Sequence, residues 1–243
     1  MTGTAHGTEP DTLSAMVLAA GYGTRMGALT QTCPKPLLGV AGRSLLDRTL
    51  DRVEAAGIGR AVVNTHYLGA QIREHLAQRP SPILALSEEP ELLDTGGGVA
   101  RARPLLGGPV AVVMNSDAVF AGANPLAPLL AAGLPDGTDA HLLMVPRAQT
   151  RGYTRAGDFF PAGPGLRRRG EAPSAPLVFT GVQLLRLSAL DGMPAGAFSL
   201  NPVWDRLIAA ERLVHSTYPG LWVDVGTPAG LVAAERALEE IRA

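Results

Sequence analysis

Lysine is almost missing from this chain: its 243 residues hold one, Lys35, against twenty arginines. Cys33 is the sole cysteine, which excludes an intramolecular disulfide and any multi-cysteine zinc site and fits a reducing cytoplasm. Excess positive charge is lacking too. The formal net charge is −1, so no broad basic field is available to hold a nucleic-acid backbone, and a small-molecule partner is favoured. No uninterrupted apolar stretch approaches the ~20 residues of a membrane span. Met1–Ser14 has neither a basic segment nor the apolar run of a secretion signal, so residues 1–13 are expected to be a flexible extension of a cytoplasmic protein.

What the chain does have is 46% hydrophobic and 18% charged residues, enough apolar material for a large core. Short apolar runs read as buried strands: Met16–Ala20, Ala61–Val63, Ile83–Leu86, Val110–Met114 and Leu142–Val145. Helical patterns lie between them. Ser44–Gly57 opens on an N-cap residue, sets Leu46, Leu50 and Val53 on one face and ends on glycine. Leu68–Gln78, Gly97–Leu106 and Pro125–Ala132 follow the same pattern. Strands alternating with helices predict an α/β fold, a Rossmann-like doubly wound and mostly parallel sheet, with ligands beyond the carboxyl ends of its strands.

The rhythm breaks in a Gly-, Pro- and Arg-rich stretch, so 147–186 is expected to contain a hairpin or lid within a single domain of residues 14–243. Alternation resumes with a helix over Val203–Leu213, strands over Val214–Tyr218 and Leu221–Val225, and a helix over Pro228–Ile241. No internal repeat is present, so no hexapeptide β-helix is fused to the globular part.

The first strand runs into Leu18-Ala-Ala-Gly-Tyr-Gly-Thr-Arg-Met26, a loop able to turn backbone N–H groups toward phosphate. Gly21 and Gly23 allow close approach, yet the third glycine of a dinucleotide fingerprint and the Gly-Lys pair of a Walker loop are both absent. Arg25 follows at once, and Lys35 stands in Pro34-Lys-Pro-Leu37. A chain that uses arginine elsewhere keeps here the compact ammonium suited to a point contact with phosphate. Read as an exposed active-site cation, Lys35 is expected to tolerate Lys35→Arg with an unchanged melting curve while losing turnover.

Together, Leu-Ala-Ala-Gly-x-Gly-x-Arg-Met and Pro-Lys-Pro-Leu resemble the signature of the sugar-1-phosphate nucleotidyltransferase (nucleoside-diphosphate-sugar pyrophosphorylase) family. The resemblance extends through Asp94-Thr-Gly-Gly-Gly98, Asn115-Ser-Asp117, Phe179-Thr-Gly-Val182 and Trp222-Val-Asp-Val-Gly-Thr227. It is greatest toward the compact bacterial N-acetylmuramate-1-phosphate uridylyltransferases of cell-wall precursor recycling. That resemblance implies a nucleotide site of Ala20, Gly21, Gly23, Thr24, Arg25, Lys35, Thr95 and Gly96, with Arg25 and Lys35 catalytic. It implies Mg²⁺ on Asp117 and Asp224, and a sugar site of Asn115, Asp158, Thr180 and Gly181. Asp94 or Thr95 could equally cap the helix that follows, Asp117 and Asp224 could be turn residues, and Gly157-Asp158 could be a hairpin turn. Two departures stand out: Gly27-Ala28 replaces a common Arg-Pro, and Ser116 replaces glycine where its hydroxyl could crowd or bond the sugar phosphate.

The implied substrates are a nucleoside triphosphate, UTP by resemblance, and a sugar 1-phosphate, giving an NDP-sugar and pyrophosphate by in-line attack at the α-phosphorus. Arg25 would stabilise the departing pyrophosphate and Lys35 the reacting phosphates. The nucleophile is already ionised, so no general base is required, and His66, His75, His141 and His215 are read as surface or packing residues. A mannose- or heptose-1-phosphate guanylyltransferase and a non-catalytic nucleotide-binding regulatory subunit are the alternatives on the same fold. A nicotinamide-dependent oxidoreductase would need the missing fingerprint. Oligomeric state is not legible, and a monomer is compatible with the sequence.

Overall fold

The computed structural model describes residues 13–241. From the start run β1 (Ser14–Leu18), the short β2 (Gly39–Val40) and β3 (Arg43–Ser44), α1 (Leu45–Ala55), β4 (Arg60–Thr65), α2 (Gly69–Leu76), β5 (Ile83–Glu88), α3 (Asp94–Leu106) and β6 (Val110–Asn115). Next come β7 (Ala118–Ala121), α4 (Leu126–Ala132), β8 (Ala140–Pro146), β9 (Thr150–Arg151), β10 (Phe159–Ala162) and β11 (Gly165–Arg168). The chain closes with β12 (Leu177–Arg186), α5 (Asn201–Ala209), β13 (Leu213–Thr217), β14 (Leu221–Asp224) and α6 (Pro228–Glu240).

The main sheet follows the order β5-β4-β1-β6-β12-β8-β13 and is parallel except at β12, which runs against both β6 and β8. Successive side chains of a strand point to opposite faces, and the core divides accordingly. Ala15, Val17, Ala61, Val63, Val112 and Met114 pack under α1, α2 and α4 on one face. Met16, Val62, Ala111 and Val113 pack under α3 and α5 on the other. Each fully buried Leu or Val in these layers contributes about 1.5–3 kcal/mol relative to exposure. A smaller three-stranded sheet, β7-β14-β9, is covered by α6.

Local signals account for several boundaries. Ser44 caps α1, its Oγ accepting from the Asp47 N–H at 3.0 Å. Gly57 just beyond that helix adopts φ +77°, a left-handed conformation that favours glycine. Thr227 caps α6 by accepting from the Gly230 N–H.

Three expectations shift, and a fourth, the hairpin within 147–186, holds. Leu13 is 2% exposed and packs in the core, so it does not belong to an extension, and 1–12 lie outside the described residues. The helix expected from Gly97 begins at Asp94, because its glycines sit in close contact with Phe198, Gly196 and Asn64. Leu213 is strand, since its buried side chain joins the β13–β8 pairing. Within 147–186, β10 and β11 form an antiparallel hairpin that is stitched to the start of β12 through Phe159 and Leu177. Of the histidines, His141 is buried, its ring nitrogens meeting Gly133 O at 2.7 Å and Ser216 Oγ at 2.8 Å. His66, His75 and His215 likewise meet protein partners.

Candidate active site

A cleft opens at the carboxyl ends of β1 and β6, formed by two adjoining cavities of about 740 and 410 Å³. The smaller is lined by Ala20, Gly21, Gly23, Thr24, Arg25, Lys35, Thr95 and Asp117. Arg25, Thr95, Asn115, Asp117, Asp158, Thr180, Gly181 and Asp224 line the larger. Of the expected site residues only Gly96 lines neither, and the reason is steric: a Cβ there would run into the Phe198 ring.

The glycine loop leaves β1 at Leu18 and turns at Gly23, whose φ is +65°. A Cβ at Gly23 would lie 2.9 Å from the Lys35 Cβ, so this glycine makes room for the lysine stem. At Gly21 an added Cβ would meet nothing within 4 Å, which leaves open space above the loop. Gly27 adopts φ +60° and kinks the following 3₁₀ turns. The loop is held from behind by a chain absent from the expectations. Asn64 Oδ1 accepts from the Ala19 N–H at 2.7 Å, Asn64 Nδ2 donates to Glu89 Oε1 at 2.7 Å, and Glu89 Oε2 accepts from the Leu93 N–H at 3.1 Å. Asn64 and Glu89 are 2% and 5% exposed, and each polar atom has a partner, as burial requires. Their one sequence signal is a polar residue at the end of an apolar strand run.

Lys35 departs from the expected exposed cation. It is 7% exposed, sits in a 3₁₀ turn between Pro34 and Pro36, and its Nζ lies 2.8 Å from Asp117 Oδ2. Asp117 follows β6, and Asp224 ends β14. Antiparallel pairing sets Asp224 opposite Ala118, and the Val225 N–H donates to Asp117 O at 3.0 Å, so the two aspartates arrive side by side. Burial pushes the Asp224 carboxyl above the usual carboxylate range, and the negative charge of Asp117 pushes it further. Among the described residues no cluster of three or more His, Cys, Asp or Glu could hold a metal. Asp117 and Asp224 offer two adjacent carboxylates, and a cation held between them would draw its remaining ligands from phosphates and water. That is the pattern Mg²⁺ takes, and the residues fit it.

Arg25 lies over Gly226: a Cβ at that glycine would sit 2.9 Å from both terminal guanidinium nitrogens. Gly226 has no positive φ and the obstructed atoms end a flexible side chain, so Gly226→Ala should fold normally while displacing the guanidinium. A displacement of about 1 Å is expected to cost roughly 10²-fold in turnover. Steady-state pyrophosphate release beside a thermal melt checks this, and wild-type turnover would show that the Arg25 placement is immaterial.

On the far side, Gly181 takes φ +85° where the β12–β8 register shifts, and a Cβ there would lie 2.9 Å from the Asn115 Cβ. The Thr180 hydroxyl donates to Leu143 O at 2.8 Å and the Thr180 carbonyl accepts from Trp222 Nε1 at 3.0 Å. Asp158 is no hairpin turn residue. Its Oδ2 accepts from the Phe179 N–H at 3.0 Å and its Oδ1 from the Tyr153 hydroxyl at 3.1 Å. Burial, aided by the charge of Asp158, pushes the Tyr153 phenol up to about 12, so it remains a donor at neutral pH. Neither Asp94 nor Thr95 caps α3: Leu93 holds that position, and Thr95 Oγ1 instead accepts from the Leu200 N–H at 3.0 Å. Asp94 adopts φ +59°, a strained conformation at the cleft wall. Ser116 lines the smaller cavity, and its hydroxyl donates to Leu18 O at 2.7 Å. Arg155, Arg168 and Arg169 also line the larger cavity and were not among the expected residues.

A doubly wound sheet with a glycine loop, two cations and paired carboxylates at its strand ends has the makings of a nucleotide-handling transferase. The model of the MobA-like NTP transferase domain matches residues 15–240, and the chain belongs to that family. It is 42% identical over 236 residues to N-acetylmuramate alpha-1-phosphate uridylyltransferase of Caulobacter vibrioides, covering 93% of this chain and 97% of that protein. The Neisseria meningitidis protein of the same name is 36% identical over 227 residues, with 92% and 97% covered. Among solved structures, a Bacillus anthracis protein provisionally assigned as a glucose-1-phosphate thymidylyltransferase superposes with a TM-score of 0.76 at 16% identity, covering 95% of each chain, which bears on the fold alone. No helix among the described residues is long and apolar enough to cross a membrane.

Proposed function

We propose that this chain transfers the uridylyl group of UTP to N-acetylmuramate α-1-phosphate, releasing pyrophosphate and UDP-N-acetylmuramate. The observation that carries the reading is a cleft joining the glycine loop, Arg25, Lys35, Asp117 and Asp224 in a chain similar over nearly its whole length to two such uridylyltransferases. The nucleoside triphosphate belongs in the smaller cavity, along Ala20, Gly21, Gly23, Thr24 and Thr95. The sugar belongs in the larger one, between Asn115, Asp158 and the Thr180–Gly181 bulge.

An oxygen of the sugar phosphate attacks the α-phosphorus, the new P–O bond forms, and the α–β bridging P–O bond breaks with its electron pair going to pyrophosphate. Both reactants are polyanions, so the residues act by positioning and charge. Arg25 meets the charge that develops on pyrophosphate. Lys35, held by the two flanking prolines and by Asp117, sets one positive charge beside the reacting phosphates. Asp117 and Asp224 would hold Mg²⁺, which when bound supplies Lewis-acid neutralisation of phosphate oxygens. No side chain is asked to remove a proton, because the nucleophile is already an anion.

The test is pyrophosphate release across four nucleoside triphosphates and a panel of N-acetylmuramate, mannose, heptose and glucose 1-phosphates. UTP with N-acetylmuramate 1-phosphate is expected to be the best pair, and activity to vanish with chelator and return with Mg²⁺. A clear preference for GTP with mannose or heptose phosphate would overturn the substrate reading; full turnover in chelator would overturn the metal.

A further inference from the structure

We infer that Arg155 is the specificity residue that reads a carboxylate on the sugar, the group that distinguishes N-acetylmuramate from N-acetylglucosamine. This rests on the function proposed above. Three arginines, Arg155, Arg168 and Arg169, line the larger cavity and not the smaller. Two of them are claimed by the protein. Arg168 donates to Asp205 Oδ1 at 2.7 Å and twice to Asn201. Arg169 donates to Gly157 O at 3.2 Å and Ala172 O at 2.8 Å.

Arg155 makes no hydrogen bond or ion pair among the described residues, and its guanidinium rests 4.9 Å from the centre of the Tyr153 ring. That ring is itself fixed, by its hydroxyl bond to Asp158 and by edge contact with Trp222. The result is a planar fork on a positioned aromatic platform, with its N–H groups turned to no protein acceptor, a geometry matched to bidentate carboxylate.

Charge balance requires such a group. Asp94, Asp117, Asp158 and Asp224 line the same cavity, and with Arg25 assigned to the phosphates an anionic sugar substituent entering among four carboxylates needs a further counter-cation. Lys35 cannot serve, because it lines only the smaller cavity and is paired with Asp117.

The test is a cycle of two changes: Arg155→Gln in the protein, and conversion of the lactyl carboxylate of N-acetylmuramate 1-phosphate to its neutral carboxamide. Values of kcat/KM with UTP are measured for all four combinations, with inhibition constants for any pair turned over too slowly. Arg155→Gln is expected to lower kcat/KM for the acid roughly 10- to 100-fold, the span of a lost charge-assisted hydrogen bond, and to leave the amide within about twofold. Equal losses with both compounds would show that Arg155 serves the phosphates, and no loss with either that it serves nothing in the reaction; each result overturns the inference. Failure of the wild type to use the acid at all would instead overturn the functional reading beneath it.

Discussion

Replacing Asp224 by Asn is expected to lower turnover by roughly 10³-fold or more, the scale of losing one carboxylate from the proposed metal site, while raising the melting temperature at neutral pH. The two effects separate because the carboxylate serves chemistry and opposes folding. Burial and the neighbouring Asp117 raise its folded pKa above the ordinary value of 3.8. The folded state therefore binds this proton more tightly than the unfolded chain. Stability from this group is highest in acid and is lost as pH climbs from 3.8 through the raised folded value, so at neutral pH the whole penalty is present. The stabilising effect of Asp224→Asn should accordingly shrink as pH falls toward the carboxylate range. Asp117→Asn should lose turnover to a similar degree with a smaller change in melting, because Lys35 Nζ, 2.8 Å away, exchanges a charged acceptor for a neutral one while Asp224 is relieved of a neighbouring negative charge. Added Mg²⁺ is expected to raise the melting temperature of the wild type and of neither variant. Melting curves at several pH values and pyrophosphate release measure all of this, and an Asp224→Asn protein that melts below wild type at pH 7 would contradict the electrostatic account.

Lys35→Arg is expected to lose about 10²-fold in turnover and also to melt a few degrees lower. Sequence reasoning gives the first effect and misses the second. From Pro-Lys-Pro alone the lysine reads as an exposed cation, whose replacement leaves the core alone. In the fold it is 7% exposed, its Cβ faces Gly23 across a gap too small for another carbon, and its ammonium is paired with Asp117. A longer, broader guanidinium must displace that pairing or press on the loop, and overpacking of this kind costs about 1–3 kcal/mol. Comparison of steady-state rates and melts decides: wild-type turnover would make the lone lysine an accident of composition, and an unchanged melt would show that the turn gives way without strain.

What the sequence discloses about this fold is what local chemistry controls. Val110–Met114 reads as a buried strand because five apolar residues in succession can be covered on both faces only inside a sheet. Ser44 announces α1 because its hydroxyl needs nothing beyond the next turn. Local rules fail where the deciding partner is distant. Asp94-Thr-Gly-Gly-Gly98 is a poor helix opening by propensity, yet Phe198 and Gly196, about a hundred residues on, pack directly on its glycines and draw the helix back to Asp94. The same holds in the cleft. The loop, Lys35 and both aspartates stand out through family resemblance, whereas Asn64 and Glu89, which fix the loop from behind, look like ordinary strand-end residues until the fold brings them together. Arg155 is one of twenty arginines and gains meaning only from its place in the cleft, with no hydrogen-bond acceptor among the described residues and the Tyr153 ring beneath it.

The antiparallel pairing of Ala118 with Asp224, and the bond from Val225 to Asp117, give the two carboxylates a spacing measured by backbone. A ruler made of main chain is indifferent to most exchanges of neighbouring side chains and intolerant of changes in length. One residue gained or lost within 117–121 or 221–225 would turn one carboxylate to the opposite side of the ribbon. Natural variants of this protein should thus exchange one buried apolar residue for another along β7 and β14, and confine their insertions and deletions to stretches such as 133–138 that lie outside that ruler.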